Sequence, residues 1–128
     1  VPAPERRAAF LRGRSAESAV AALLSDDGWK VVAQNWRGAN AELDLVVERG
    51  GALRFVEVKL RGDAVDGLDD GGMLSISADK RARIARGADA FLSTWPQPVS
   101  ECCVLLALVE RRADGFQIDL WDNPFDVA

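Results

Sequence analysis

Two small charged groups flank a pair of glycines near the middle of the chain. Glu42 and Asp44 come before Gly50-Gly51, and Glu57 and Lys59 come after it. Gly-Gly between two apolar runs is the signal of a tight hairpin. With the turn centred on the glycines, Asp44 lies opposite Glu57 and Glu42 lies opposite Lys59. By the two-residue period of a strand, all four share one face. The reverse face holds Leu43, Leu45, Val47, Val56 and Val58. Carboxylates opposed across a strand pair repel. A divalent cation between them removes that repulsion, and an ammonium beside them stabilises developing negative charge. Asp, Glu and Lys so arranged are what metal-assisted phosphodiester hydrolysis requires. The same residues also make an ordinary solvated hairpin face, with Glu42–Lys59 as a weak ion pair. A bulge or an odd loop length would change the register.

Glu17 is the fifth candidate. On a helical wheel it falls between Phe10 and Gly13 on one side and Val20 and Leu24 on the other. A carboxylate inside an apolar stripe must be paired, protonated or bound to a cation. The alternative places it at the stripe's edge, reaching solvent.

Composition narrows the chemistry. The chain has no histidine. Ser-His-Asp and Cys-His systems are therefore excluded, as are His-based zinc sites. A catalyst here must use Asp, Glu, Lys or Arg, with an oxygen-preferring ion such as Mg²⁺ or Mn²⁺. Cys102 and Cys103 are adjacent in an apolar run and point to opposite faces of a strand. They read as reduced core residues, which fits a cytoplasmic setting. Sixteen basic against twenty acidic residues give a net charge of −4. That argues against coating nucleic acid by bulk charge, but not against a local basic surface. No run approaches a membrane span, and no segment reads as a signal peptide.

The elements that must position these residues follow from periodicity. At 128 residues the chain makes one domain that buries roughly two thirds of its surface. Residues 6–25 carry a helical pattern that Asp26-Asp27-Gly28 ends. Strands are expected at 29–36, 41–47 and 53–60. Residues 61–76 hold four aspartates and four glycines and read as a long loop. Ser77 caps a second helix to about Thr94, with Ile84, Ala88, Phe91, Leu92 and Trp95 as its buried stripe. A continuous apolar run at 102–109 marks a central strand, and 116–121 alternates as a half-buried one. The expected class is α/β, a mixed central sheet flanked by helices in the order α-β-β-β-α-β-β. Arg12, Arg14, Arg37, Arg61, Lys80, Arg81 and Arg83 are the candidates for phosphate contact. Trp29 and Trp36 serve either base stacking or, as their positions favour, packing.

Taken together, Gly13-Arg14-Ser15-Ala16-Glu17, Asn35-Trp36-Arg37, Ala41-Glu42-Leu43-Asp44-Leu45-Val46 and Phe55-Val56-Glu57-Val58-Lys59-Leu60-Arg61 resemble the YraN family of small bacterial proteins. That family is assigned by similarity to the Holliday-junction-resolvase-like branch of the PD-(D/E)xK nucleases. The resemblance covers about residues 6–94. It implies a restriction-endonuclease-like fold and a metal-dependent endonuclease acting on DNA, branched or damaged DNA included. It implies Asp44, Glu57 and the Val58 carbonyl as metal ligands, Lys59 as the catalytic lysine, and Glu17 as a further ligand or supporting group. Glu42 matches a motif glutamate without an assigned role. Mg²⁺ or Mn²⁺ is the implied cofactor, DNA the implied partner, and a homodimer the implied assembly. Two departures stand out: Ala16 and Ala41 replace the family's usual glycines, and the acidic 61–76 stretch sits beside a supposed DNA site. The competing reading is a non-catalytic nucleic-acid or protein interaction module that keeps the nuclease fold.

Overall fold

The computed structural model describes residues 5–9, 15–61, 77–113 and 115–122. Its frame is set by turns. Gly50 and Gly51 have φ of 60° and 89°, the left-handed pair that a two-residue hairpin needs. They join β3 (Ala41–Arg49) to β4 (Ala52–Leu60) in the expected register, from Arg49↔Ala52 to Leu45↔Val56. Before β3 comes β2 (Lys30–Gly38), which returns through Ala39 and Asn40, also at positive φ. Ala16 and Ala41, which stand where glycines are usual in the family the sequence resembles, carry no such strain.

Both helices start at a serine cap. Ser15 accepts from the Ser18 N–H and opens α1 (Ala16–Asp26). Ser77 accepts from the Lys80 N–H and opens α2 (Ala78–Thr94). Gly28, at φ 93°, releases the chain from α1 as expected.

The remaining strands are β5 (Glu101–Arg112), β6 (Gly115–Asp122) and one the periodicity did not give, β1 (Glu5–Ala9). They complete a single six-stranded sheet in the order β1-β6-β5-β4-β3-β2. Only β4 and β5 are parallel, linked through α2; the other neighbours are antiparallel. The expected mixed α/β sheet is therefore present, compatible with a restriction-endonuclease-like fold. Its order gains a leading strand, and the first helix begins at Ala16 rather than near Arg6. The cause is long-range. Arg6 pairs with Asp119 of β6 at 2.9 Å, and Arg7 pairs with Asp27 after α1 at 2.7 Å. Phe10 and Gly13, counted as part of a helical stripe, lie outside the described residues.

One helix covers each face. α1 packs Val20, Leu23 and Leu24 on Leu45, Val47, Val56, Ala107 and Ile118. α2 places Phe91 on Leu43, Val46, Leu53 and Phe55. Trp29 joins the first core and Trp36 the second, so both tryptophans pack rather than stand free for bases. Cys102 is exposed, against expectation, because the buried run of β5 begins at Val104. Among the described residues, no helix is long and apolar enough to cross a membrane.

Candidate active site

The β3–β4 ladder stops at Leu45↔Val56, one pair short of Asp44 and Glu57. Face alternation slips at the same point. Leu43 packs under α2, whereas Leu45 packs under α1. On the neighbouring strand, Asn35 lies between the Gln34↔Leu45 and Trp36↔Leu43 pairs, level with Asp44, at φ 49°. A left-handed residue inside a strand turns the next side chain over. Trp36 thereby reaches Phe91, its ring centroid 5.5 Å away. Leu43 was expected on the reverse face with Leu45; this slip corrects that.

The Asp44 side chain fills the gap. Its Oδ2 accepts from the Val58 N–H at 2.8 Å. A carboxylate thus stands where a ladder carbonyl would be. Within a strand, the N–H and C=O of one residue point to the same side. Three positions on, Arg61 donates to the Val109 carbonyl of β5 at 2.7 Å. The Val58 carbonyl therefore faces the parted strands, on the Asp44 side.

Glu57 is buried at 5% exposure, and two ammonium groups hold it. Lys80 Nζ from the first turn of α2 is 2.9 Å from its Oε2, and Lys59 Nζ is 3.8 Å away. Burial first, then the Glu57 charge, push the Asp44 carboxyl up to about 6; the Val58 N–H and Lys80 oppose this. Glu17, half-buried in the first turn of α1, is raised by burial, then by Asp44 and Glu42. The site thus gathers Glu17, Asp44, Glu57 and Lys59. Glu42 does not meet Lys59 as the hairpin register predicted. It lies 3.4 Å from Arg37 instead.

A cleft of about 600 Å³ opens beside Asp44. Arg37, Glu42, Lys80 and Arg83 line it with the Ala39–Asn40 turn. Arg86 fastens that turn, donating to the Ala39 carbonyl at 3.3 Å. Of the phosphate-contact candidates, Arg37, Lys80 and Arg83 reach the cleft, and Arg81 is exposed on α2. Arg61 turns to Glu110 at 3.8 Å and is not in the cleft wall. Arg12, Arg14 and the acidic residues from 62 to 76 lie outside the described residues.

The fit to a cation is chemical rather than preassembled. Among the described residues, no three carboxylate or thiol side chains stand close enough to hold a metal as they lie. The donors are nonetheless all hard oxygens: Asp44, Glu57, Glu17 and the Val58 carbonyl. They suit Mg²⁺ or Mn²⁺. Asp44 is raised by burial first and by the neighbouring Glu57 charge second, and a cation between the two would ease the repulsion. Two features of the site were not read from sequence. Asn35 had a signal, because Asn tolerates left-handed φ. Lys80 was a candidate for phosphate contact, but its pairing with Glu57 had no signal, because that reach depends on where α2 docks.

Comparison with known proteins places the chain. The profile of the uncharacterised protein family UPF0102 matches residues 16–121. A UPF0102 protein of Synechococcus sp. (strain JA-3-3Ab) is 41% identical over 110 residues, 85% of this chain and 82% of that relative. One from Rhodopseudomonas palustris (strain BisA53) is 38% identical over 96 residues, 75% of this chain and 70% of its own length. One from Methylocella silvestris is 32% identical over 126 residues, 98% of this chain and 91% of its own length.

Proposed function

The chain belongs to the uncharacterised protein family UPF0102, and from that premise we propose that it is a divalent-metal-dependent endonuclease hydrolysing DNA phosphodiester bonds. One observation carries the reading: Asp44, Glu57 and Lys59 converge where β3 and β4 part, beside a cleft walled by Arg37, Lys80 and Arg83. Asp44, Glu57, Glu17 and the Val58 carbonyl would hold Mg²⁺ or Mn²⁺. The ion, when bound, supplies an activated water and polarises the phosphate. The protein's own groups do the rest. Arg37 and Arg83 seat the backbone phosphates beside the carboxylates. Lys59, with only 13% of its side chain exposed, offers a fixed ammonium to the charge that builds on the phosphate oxygens. The positive end of α2 adds to the field at the same place. The free cysteines fit a cytoplasmic setting.

The absence of a ready metal cluster among the described residues favours a second reading, a non-catalytic module that keeps the fold. The experiment that separates the two is cleavage of single-stranded, duplex, flap and four-way-junction DNA with Mn²⁺ or Mg²⁺. Wild type runs beside Glu57→Ala and Lys59→Ala. Cleavage lost in both variants supports the nuclease. A clean wild type that neither cleaves nor binds metal leaves the interaction module.

A further inference from the structure

We propose that Lys80 is the exchangeable counter-ion of the Glu57–Asp44 pair, holding the pair's charge while no metal is bound and leaving Glu57 when a divalent cation arrives. This rests on the metal-dependent reading of the same site.

Geometry makes Lys80 the principal partner of Glu57. Its Nζ is 2.9 Å from Oε2, against 3.8 Å for Lys59. It comes from α2, a different element from the strands that carry the carboxylates, and it lines the cleft with Asp44. Lys59 is fixed within β4, two residues from Glu57. Exposure tells the same story. The Lys80 side chain is 26% exposed, whereas that of Glu57 is 6% exposed. The lysine can withdraw into the cleft without disturbing the core; the glutamate cannot.

Helix energetics point the same way. Lys80 is the third residue after the Ser77 cap, inside the first turn of α2. A cation there opposes the helix dipole. Asp79 is the sole acidic residue of that turn. The position is therefore unfavourable for the helix and favourable for Glu57. A divalent ion on the same carboxylates supplies more charge than one ammonium. Beside Lys59 and Lys80 it would be a third cation on Glu57, and the repulsion would release the ammonium that is free to swing away, that of Lys80. The cleft that receives the ammonium is already lined by Arg37 and Arg83. Three cations gathered there invite a phosphate. Metal uptake and phosphate seating are then linked through one side chain, and the linkage is reciprocal.

The test is Mn²⁺ binding to the full chain by isothermal titration calorimetry, without nucleic acid. Lys80→Gln removes the competing charge and should bind Mn²⁺ roughly tenfold more tightly than wild type. In metal-free buffer it should melt below wild type, because the carboxylates lose their counter-ion. Lys30→Gln, at the far end of β2, makes the same change in net charge and should match wild type. Lys80→Arg should bind Mn²⁺ more weakly, because a guanidinium grips a carboxylate with two donors. That variant keeps the charge and decides the matter if Lys80→Gln does not fold. Equal or weaker Mn²⁺ binding by Lys80→Gln, beside a wild type that binds, overturns the exchange and leaves the metal site standing. Absence of Mn²⁺ binding in every variant overturns both.

Discussion

Asp44 is the residue on which fold and chemistry compete. Its carboxylate replaces a ladder carbonyl at Val58, yet burial and Glu57 raise it to about 6. The folded state holds its proton more tightly than the unfolded chain does. Stability is therefore lost as pH climbs from the ordinary carboxylate range through about 6, and the loss is complete above it. Asp44→Asn keeps an oxygen acceptor for the Val58 N–H and removes the charge. In metal-free buffer at pH 7.5 it should exceed wild type by about 2 kcal/mol in urea unfolding, with the gap closing toward pH 4. The same variant should lose cleavage. Equal stability at both pH values would show that the site's charge is not held in tension.

At the scale of the element, the β2–β3 corner fixes the cleft wall. The Trp36 ring folds over Gly38, and a Cβ built there would lie 2.4 Å from it. Gly38→Ala should displace Trp36 from Phe91 and cost about 2 kcal/mol, read as a lower urea midpoint with reduced tryptophan burial. Much of this level was legible in the sequence. Gly50-Gly51 set the hairpin and its register, Ser77 and the Ile84–Phe91 spacing set α2, and the unbroken apolar run set β5. What was not legible depends on distant partners. Residues 5–9 become a strand through β6, more than a hundred positions away, and Arg6–Asp119 joins the two. The slip at Asp44 depends on Asn35 alongside and on Leu43 finding Gly87 of α2. Local pattern carries neither fact, beyond the tolerance of Asn35 for left-handed φ. Asp44, Glu57 and Lys59 were legible as one group of residues, and the structure brings them near one another. Their geometry was not legible, because a regular hairpin would have set Glu42 against Lys59 and left Lys80 at the rim.

For the whole molecule, a net charge of −4 coexists with a cleft where Arg37, Lys80 and Arg83 stand beside Glu42 and Asp44. Bulk attraction to nucleic acid is therefore absent, and affinity should come from a few local contacts. With Arg37, Lys80 and Arg83 each meeting one phosphate, log K should fall against log salt with a slope of about −3. Arg83→Gln should reduce that slope by about 1. Fluorescence anisotropy on a labelled four-way junction, in a Lys59→Ala background with Mn²⁺, measures both. A slope unchanged by Arg83→Gln would place the nucleic acid elsewhere on the surface.

The parting of β3 from β4 also makes one amide proton a reporter of charge. Arg61 is secured by the Val109 carbonyl, whose strength as an acceptor does not change between pH 5 and 7. Val58 is secured by a titrating carboxylate. Over that interval its hydrogen-exchange protection should grow relative to that of Arg61 as Asp44 ionises, even as the fold as a whole loses stability. A single backbone position thus reads the ionisation of the site from within, with no substrate present.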